Sequence, residues 1–350
     1  MKAISQSHYG PASVLESREH ETPAISDDQV LIQVRAAGVN PGDWAIMRGL
    51  PYIARPIYGL RQPKQGIRGT DVAGVVASVG VNVKTFKAGD EVYGSAEGSY
   101  AEYAVASPDK IAPKPGSLTF EQAAVVPMSG TVAVQALRDR GKVGPGSRVL
   151  VNGAAGGIGT FAIQIAKALG AHVTAVASTR NVDLVRSLGA DEVIDYTTSD
   201  FTRSGKPYDF ILDNVSNHSL RALRRALTPT GMLVPNGGSF GNRWLASGGR
   251  LLRGAVLFRF GRQALGNFLV SLNGDDLVAL TELIEAGKVK PVIDRTYAFH
   301  ETPEALRQMG EGHARGKIVI TLQSASGLAT AAPAAPSGVT ATPAAAGAPS

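Results

Sequence analysis

The sequence predicts an α/β chain made of a β-rich domain and a doubly wound parallel sheet. Three observations carry this. Residues 1–122 are dense in short alternating apolar runs and poor in helical periodicity. Residues 123–265 alternate strand-like and helix-like patterns, which places helices on both faces of a parallel sheet. Between one such strand and helix, at 148–169, stands a run of small residues and glycines.

In the first part, Val30-Leu-Ile-Gln-Val-Arg-Ala36 alternates as a strand does, and Asp71–Gly80 reads as a strand or strand pair eased by glycine. Gly89–Tyr93 and Tyr100–Val105 continue the pattern. In the second part, strands are expected at 148–152, 172–178, 191–195, 208–213 and 231–236. Residues 275–286 and 303–309 carry helical patterns, while Pro291–Tyr297 and Lys317–Leu322 return to mixed structure. The expected boundaries are 1–122, 123–265 and 266–322, the last returning to the first domain. From Gln323 to Ser350 the chain is mostly Ala, Pro, Ser, Gly and Thr without charge. Such a segment buries too little apolar surface to fold and is expected to be a disordered tail.

The most informative stretch is Arg148-Val-Leu-Val-Asn-Gly-Ala-Ala-Gly-Gly-Ile-Gly159, followed by the helical Thr160–Leu169. A strand, a tight turn and a helix N-terminus present free backbone N–H groups beside the positive end of a helix dipole, a seat for a pyrophosphate. Gly156, Gly157 and Gly159 supply backbone freedom, close approach and tight packing, with Ala155 just before them and Ile158 before the last. Ala154 stands where the first glycine of G-x-G-x-x-G usually does. The flanking strand and helix make this a Rossmann dinucleotide reading.

The end of the next strand selects the cofactor. An Asp or Glu about 20 residues after the glycines holds the ribose hydroxyl of NAD. Ala177 and Ser178 occupy the matching positions here, followed by Thr179 and Arg180. Ser, Thr and Arg donate to a 2′-phosphate, so NADP(H) is expected over NAD(H). The alternative is that Arg180 is only a solvated first-turn residue. Asn214 and Gly237 end the fourth and fifth strands and so fall along the cofactor.

Composition excludes several classes. The 350 residues contain no cysteine, which removes disulfides, thiolate nucleophiles and Cys-based zinc sites. No signal core or run of about 18 apolar residues is present, and a cytoplasmic chain without a membrane partner is expected. The net charge is +6. The basic residues from Arg243 to Arg262 are interleaved with Trp244, Leu251, Leu252, Phe258 and Phe260. They read as an amphipathic helix with a solvated basic face rather than a nucleic-acid module.

Several motifs together resemble the zinc-free, quinone-oxidoreductase-like branch of the medium-chain dehydrogenase/reductase superfamily. They are Ala37-Gly-Val-Asn-Pro-Gly-Asp-Trp44, Gly69-Thr-Asp-Val-Ala-Gly74, Val83-Lys-Thr-Phe-Lys-Ala-Gly-Asp-Glu-Val92 and Gly98-Ser-Tyr-Ala-Glu-Tyr103. The glycine turn and Leu188-Gly-Ala-Asp-Glu-Val-Ile-Asp-Tyr196 continue the match. Gly312-His-Ala-Arg-Gly-Lys-Ile-Val319 resembles the reticulon-interacting NADPH oxidoreductases in particular. The likeness spans about residues 1–322.

The resemblance implies a GroES-like catalytic domain beside the Rossmann domain, a ligand cleft between them and a homodimer. It implies that Asn40 and Asp43 lie beside the nicotinamide, that Tyr52 serves the active site with Tyr58 as a competitor, and that Thr131 lies near the nicotinamide. Ser178 and Tyr196 then belong to the adenosine-phosphate end, and Lys317 either approaches the cofactor or is an ordinary strand residue. Tyr52 packing on Trp44 and Thr131 capping a helix are the plain alternatives. Zinc-dependent relatives carry Cys at the position of Asn40 and Gly-His-Glu at Gly69-Thr-Asp71, so no metal is expected. The isolated His218, His300 and His313 do not make a ligand set.

A small electrophile is therefore the expected partner: an enone, an enoyl group or a quinone, whose reduction needs donors aimed at one oxygen rather than a metal acid. No tyrosine has a lysine four positions on, so the Tyr-x-x-x-Lys pair suited to plain ketones is missing. A carbonyl reductase, a non-catalytic NADPH-binding protein and an enoyl reductase serving a biosynthetic pathway are the competing readings.

Overall fold

The computed structural model describes residues 1–237, 248–259, 261–266, 270–312 and 314–322. The expected tail at 323–350, Arg243, Trp244, Phe260 and His313 lie outside these residues.

The first part opens with β1 (Lys2–Ser5) paired antiparallel to β2 (Glu16–Glu19). Then come β3 (Val30–Val39), α1 (Pro41–Met47), α2 (Arg55–Tyr58), β4 (Asp71–Val79), β5 (Glu91–Ser95), β6 (Tyr103–Ala106) and β7 (Ile111–Pro113). β3 runs three residues beyond the alternating pattern, because its end is buried on both faces. Gly38 makes this possible: a Cβ there would lie 2.4 Å from the Ala124 carbonyl. β4 is one strand and not a pair. Its Gly74 lets β3 approach, since a Cβ would meet the Gln33 carbonyl at 2.2 Å. Tyr100, expected within a strand, precedes β6, is fully buried and donates to Asp43.

Two helices, α3 (Phe120–Ala124) and α4 (Pro127–Val134), lead into the second part. It contains β8 (Arg148–Asn152), α5 (Gly157–Ala168), β9 (His172–Ala177), α6 (Val182–Ser187), β10 (Glu192–Asp195) and β11 (Tyr208–Asp213). It continues with α7 (Leu220–Arg225), β12 (Leu227–Pro235), α8 (Gly248–Phe258) and β13 (Ala264–Leu265). The strands are parallel in the order β10-β9-β8-β11-β12-β13. The order in which strands are added reverses between β8 and β11, the place where such sheets open a ligand crevice.

The last described segment is α9 (Gly274–Glu285), β14 (Ile293–Ala298), α10 (Thr302–Glu311) and β15 (Lys317–Thr321). β15 pairs antiparallel with β3, completing the sheet begun by the first part. Trp44 packs α1 against α10, where a Cβ on Gly310 would lie 2.1 Å from the indole nitrogen. One core runs through both sheets, from Ala36, Ala73, Tyr93 and Val319 to Val149, Val151 and Phe161. The Tyr93 hydroxyl adds a bond to the Leu277 carbonyl at 2.6 Å. The two sheets are therefore packed as one body through this shared apolar core.

Candidate cofactor and catalytic site

The glycine turn lies at the carboxyl end of β8. Gly153 takes φ +77°, a conformation that suits glycine. Gly156 is the residue before the first turn of α5. A Cβ on Gly159 would sit 2.3 Å from the Gly153 carbonyl, so the helix rests directly on the turn. Gly156 is different: a Cβ there meets only that same carbonyl, at 3.5 Å. The turn is therefore packed behind and open in front, the shape that a pyrophosphate on a helix N-terminus requires.

The turn is tied to the first sheet. Gly316 donates its N–H to the Ala155 carbonyl at 2.8 Å, and the next residue is Lys317. Its side chain lies along Gly157, whose added Cβ would be 2.8 Å from Lys317 Cδ. The buried ammonium donates to the Val39 carbonyl at 3.1 Å and to the Asn40 side-chain oxygen, and stands 3.6 Å from Asp71. Asp71 is fully buried and accepts from the Met128 N–H at 3.3 Å, in the first turn of α4. A carboxylate is favoured there by the helix dipole. Burial pushes Asp71 up and Lys317 down, and each opposes the shift of the other.

Asp43 joins this group from α1. One of its oxygens accepts from the Asn40 N–H and the Tyr100 hydroxyl, both at 2.9 Å. Burial pushes Asp43 up to about 6, against those two donors and with Asp71 adding to the rise. Burial and the Asp43 charge hold Tyr100 well above the usual tyrosine range. Asp43 also borders a cavity of about 350 Å³ shared with Ile46, Ile67, Arg68, Thr70 and Ser95.

The structure thus brings Asn40, Asp43 and Lys317 together and adds Asp71 and Tyr100, which the sequence reading left out of the site. Both stand in motifs quoted above, Asp71 in Gly69–Gly74 and Tyr100 in Gly98–Tyr103. Tyr52 sits on the turn Tyr52–Ala54 with its ring 4.5 Å from the Arg55 guanidinium. Tyr58 is exposed.

At the other end, Ser178 follows β9 and accepts from the Asn181 amide at 3.2 Å. Thr179 and Arg180 are exposed on the next turn, and the Tyr196 ring is exposed beside it. The sequence reading found no carboxylate at the end of β9, and none is there. One arrives from the neighbouring strand instead: Asp195, in register with Ala177, accepts from the Thr179 hydroxyl at 2.5 Å.

Asn214 and Gly237 follow β11 and β12 as expected. The Gly237 N–H donates to the Asp213 carbonyl at 2.8 Å. The loop is held from below. Asp213 accepts from Asn152, from the Ser216 N–H at 3.0 Å and from the α8 residue Arg250 at 3.1 Å. Arg250 also reaches the His218 carbonyl at 2.8 Å. Ser216 takes φ +64°, a strained value for a side-chain-bearing residue. Thr131 lies in the middle of α4, fully buried, so it does not cap that helix.

Two buried polar atoms at these positions, Thr131 Oγ1 and Asn214 Nδ2, have no partner among the described residues. Such atoms are rare in folded proteins. They fit a dinucleotide laid along the carboxyl ends of the strands. Among the described residues, no group of three or more His, Cys, Asp and Glu comes together. At the position beside Asn40 and Asp71 the buried cation is the Lys317 ammonium.

A GroES-like sheet packed on a six-stranded dinucleotide sheet, with a polar seam between them, defines a medium-chain dehydrogenase/reductase, an oxidoreductase that uses a nicotinamide cofactor. Family models agree: an alcohol dehydrogenase GroES-like domain matches residues 26–116, and a zinc-binding dehydrogenase domain matches residues 188–320. The mitochondrial NAD(P)H oxidoreductase RTN4IP1 of Bos taurus is 37% identical over 330 residues, covering 84% of this chain and 82% of that protein. The 2-methylene-furan-3-one reductase of Solanum lycopersicum is 36% identical, covering 91% and 79%. The quinone oxidoreductase structure from Coxiella burnetii has a TM-score of 0.81 at 32% identity, covering 92% and 99%. The chain belongs to the quinone-oxidoreductase-like family of this superfamily.

Proposed function

We propose that the chain is an NADPH-dependent, zinc-independent reductase of activated double bonds, in enones or enoyl groups, or of quinones. The observation that carries this reading is the direct bond from the glycine turn to the strand bearing Lys317, which joins the cofactor seat to Asn40 and Asp43. Relatives named as a 2-methylene-furan-3-one reductase and a quinone oxidoreductase support the substrate class.

The bound cofactor supplies the hydride equivalent. The chain supplies position, charge and protons. Ala155, Gly156, Gly157, Ile158 and Gly159 seat the pyrophosphate. Ser178, Thr179, Arg180 and Tyr196 read the adenosine phosphate. Thr131, Asn214 and Gly237 line the path toward the nicotinamide. Lys317 acts through Asn40, whose side-chain oxygen accepts from the buried ammonium. Asp43, held near 6, carries a proton beside the cavity, where negative charge grows on a substrate oxygen. Tyr52 is placed at the substrate mouth. Lys317 provides the fixed positive charge that zinc gives other members.

A homodimer working in the cytoplasm completes the proposal. No helix among the described residues is long and apolar enough to cross a membrane.

NADPH oxidation should be followed with an enone, a quinone and a plain ketone, each with and without a chelator. Turnover of the first or second, indifferent to the chelator, is expected. Activity on the ketone alone, or its loss with the chelator, overturns the reading.

A further inference from the structure

From Asn214 to Gly274 the chain holds eight arginines and no aspartate, glutamate or lysine. This stretch alone carries more positive charge than the +6 of the whole chain. The structure shows how it is displayed. Arg250 and Arg224 turn inward, the latter to Gln263 and to the Leu257 carbonyl. Arg221 and Arg225 on α7, with Arg253, Arg259 and Arg262 on and after α8, are exposed.

The outward side of α8 carries apolar residues as well as arginine. Gly254 and Phe258 face inward, and a Cβ on Gly254 would lie 2.7 Å from Leu265. One helical turn apart on the opposite side, Leu252 and Val256 are 71% and 64% exposed. An open cleft of about 500 Å³ borders this helix at Leu257 and is lined by Arg221, Arg224 and Arg225.

We propose that this face docks on an anionic phospholipid surface, with α8 lying in the interface and a headgroup phosphate in the arginine cleft. Exposed apolar side chains flanked by arginines are the pattern of an interfacial helix. Arginine forks match phosphate oxygens. A second copy of the same face would be repelled by like charge, and a nucleic acid gives Leu252 and Val256 no apolar surface to enter. The expectation of no membrane partner rested on the lack of a spanning segment, which does not bear on a helix lying flat. Two apolar side chains are a weak anchor, so binding is reversible and salt-sensitive. The inference is independent of the substrate proposed above.

Vesicle co-sedimentation tests it on the full chain. Phosphatidylcholine vesicles and phosphatidylcholine–phosphatidylserine vesicles are compared at low and high salt. Binding to the anionic vesicles alone is expected. Arg221→Glu with Arg225→Glu should weaken it at least ~25-fold, since each basic side chain near an anionic surface contributes about fivefold. Leu252→Glu with Val256→Glu should abolish it, while NADPH oxidation on a water-soluble electrophile stays unchanged in both variants. No binding to anionic vesicles overturns the proposal. So does binding that survives the Leu252/Val256 changes, or tighter binding of single-stranded RNA or of free inorganic phosphate than of vesicles.

Discussion

Gly316 bonds the carbonyl of Ala155 at 2.8 Å, across more than 160 residues of chain. The glycine turn after β8 and the strand that completes the first sheet are thereby tied together. Displacement of either moves Lys317 and, through it, Asn40.

Lys317→Met keeps the stem and removes the charge. It leaves Asp71 buried with Asp43 as a neighbour, and the loss of one partner of a buried pair costs about 3–5 kcal/mol. Adding Asp71→Asn should restore most of that stability. Denaturant unfolding of the four proteins in the cycle measures the coupling, and additive losses would show that the pair does not interact.

The glycines of the turn should separate. Gly159→Ala forces a side chain onto the Gly153 carbonyl and should lower the melting temperature. Gly156→Ala fits the free fold but fills the open side of the turn. Its melting temperature should hold while NADPH affinity falls about tenfold or more, as calorimetry would register.

Cofactor choice should respond to two residues in opposite senses. Arg180→Ala should weaken NADPH far more than NADH. Asp195→Asn removes a negative charge bonded to Thr179 and should shift preference further toward NADPH, because a carboxylate near a phosphate is unfavourable. Kd values for both coenzymes decide it, and equal losses in Arg180→Ala would remove that residue as the phosphate reader.

Arg250 holds the loop that presents Asn214. Arg250→Met should weaken NADPH binding about tenfold, with a smaller effect on turnover at saturation. Ser216→Gly in that background should recover affinity, because glycine adopts φ +64° without strain. A merely structural role for Arg250 predicts no such rescue.

Asp43 should leave a mark on pH dependence. Its value is raised from 3.8 to about 6, so between those limits the native state binds more protons than the unfolded one. Stability from this group therefore falls as pH rises across that window and is flat above it, by on the order of 3 kcal/mol in all. Asp43→Asn should lack the fall. If Asp43 holds the proton used in turnover, kcat/KM should also decline above about pH 6 in the wild type but not in the variant.

Much of this was legible in the sequence. The Rossmann strands at 148–152 and 208–213 match to the residue, because buried parallel strands are bounded by sharp turns. Asn40, Asp43 and Lys317 were legible through motif resemblance. What was not legible is who meets whom. Asp71 and Tyr100 reach the site through sheet register and through burial that no local pattern encodes. Asp195 is not legible because it sits on β10, and only sheet register brings it beside the end of β9. On α8 the alternation of arginine and leucine was visible, but only packing shows that Leu252 and Val256 face outward.

The pairing of β15 with β3 joins segments some 280 residues apart. Synthesis proceeds from the amino end, so the catalytic sheet has an unfilled place until almost the whole polypeptide has emerged. The dinucleotide sheet, whose strands are contiguous in sequence, has no such wait. It should therefore assemble first and serve as the surface on which the remainder closes, a non-local step of the slow kind.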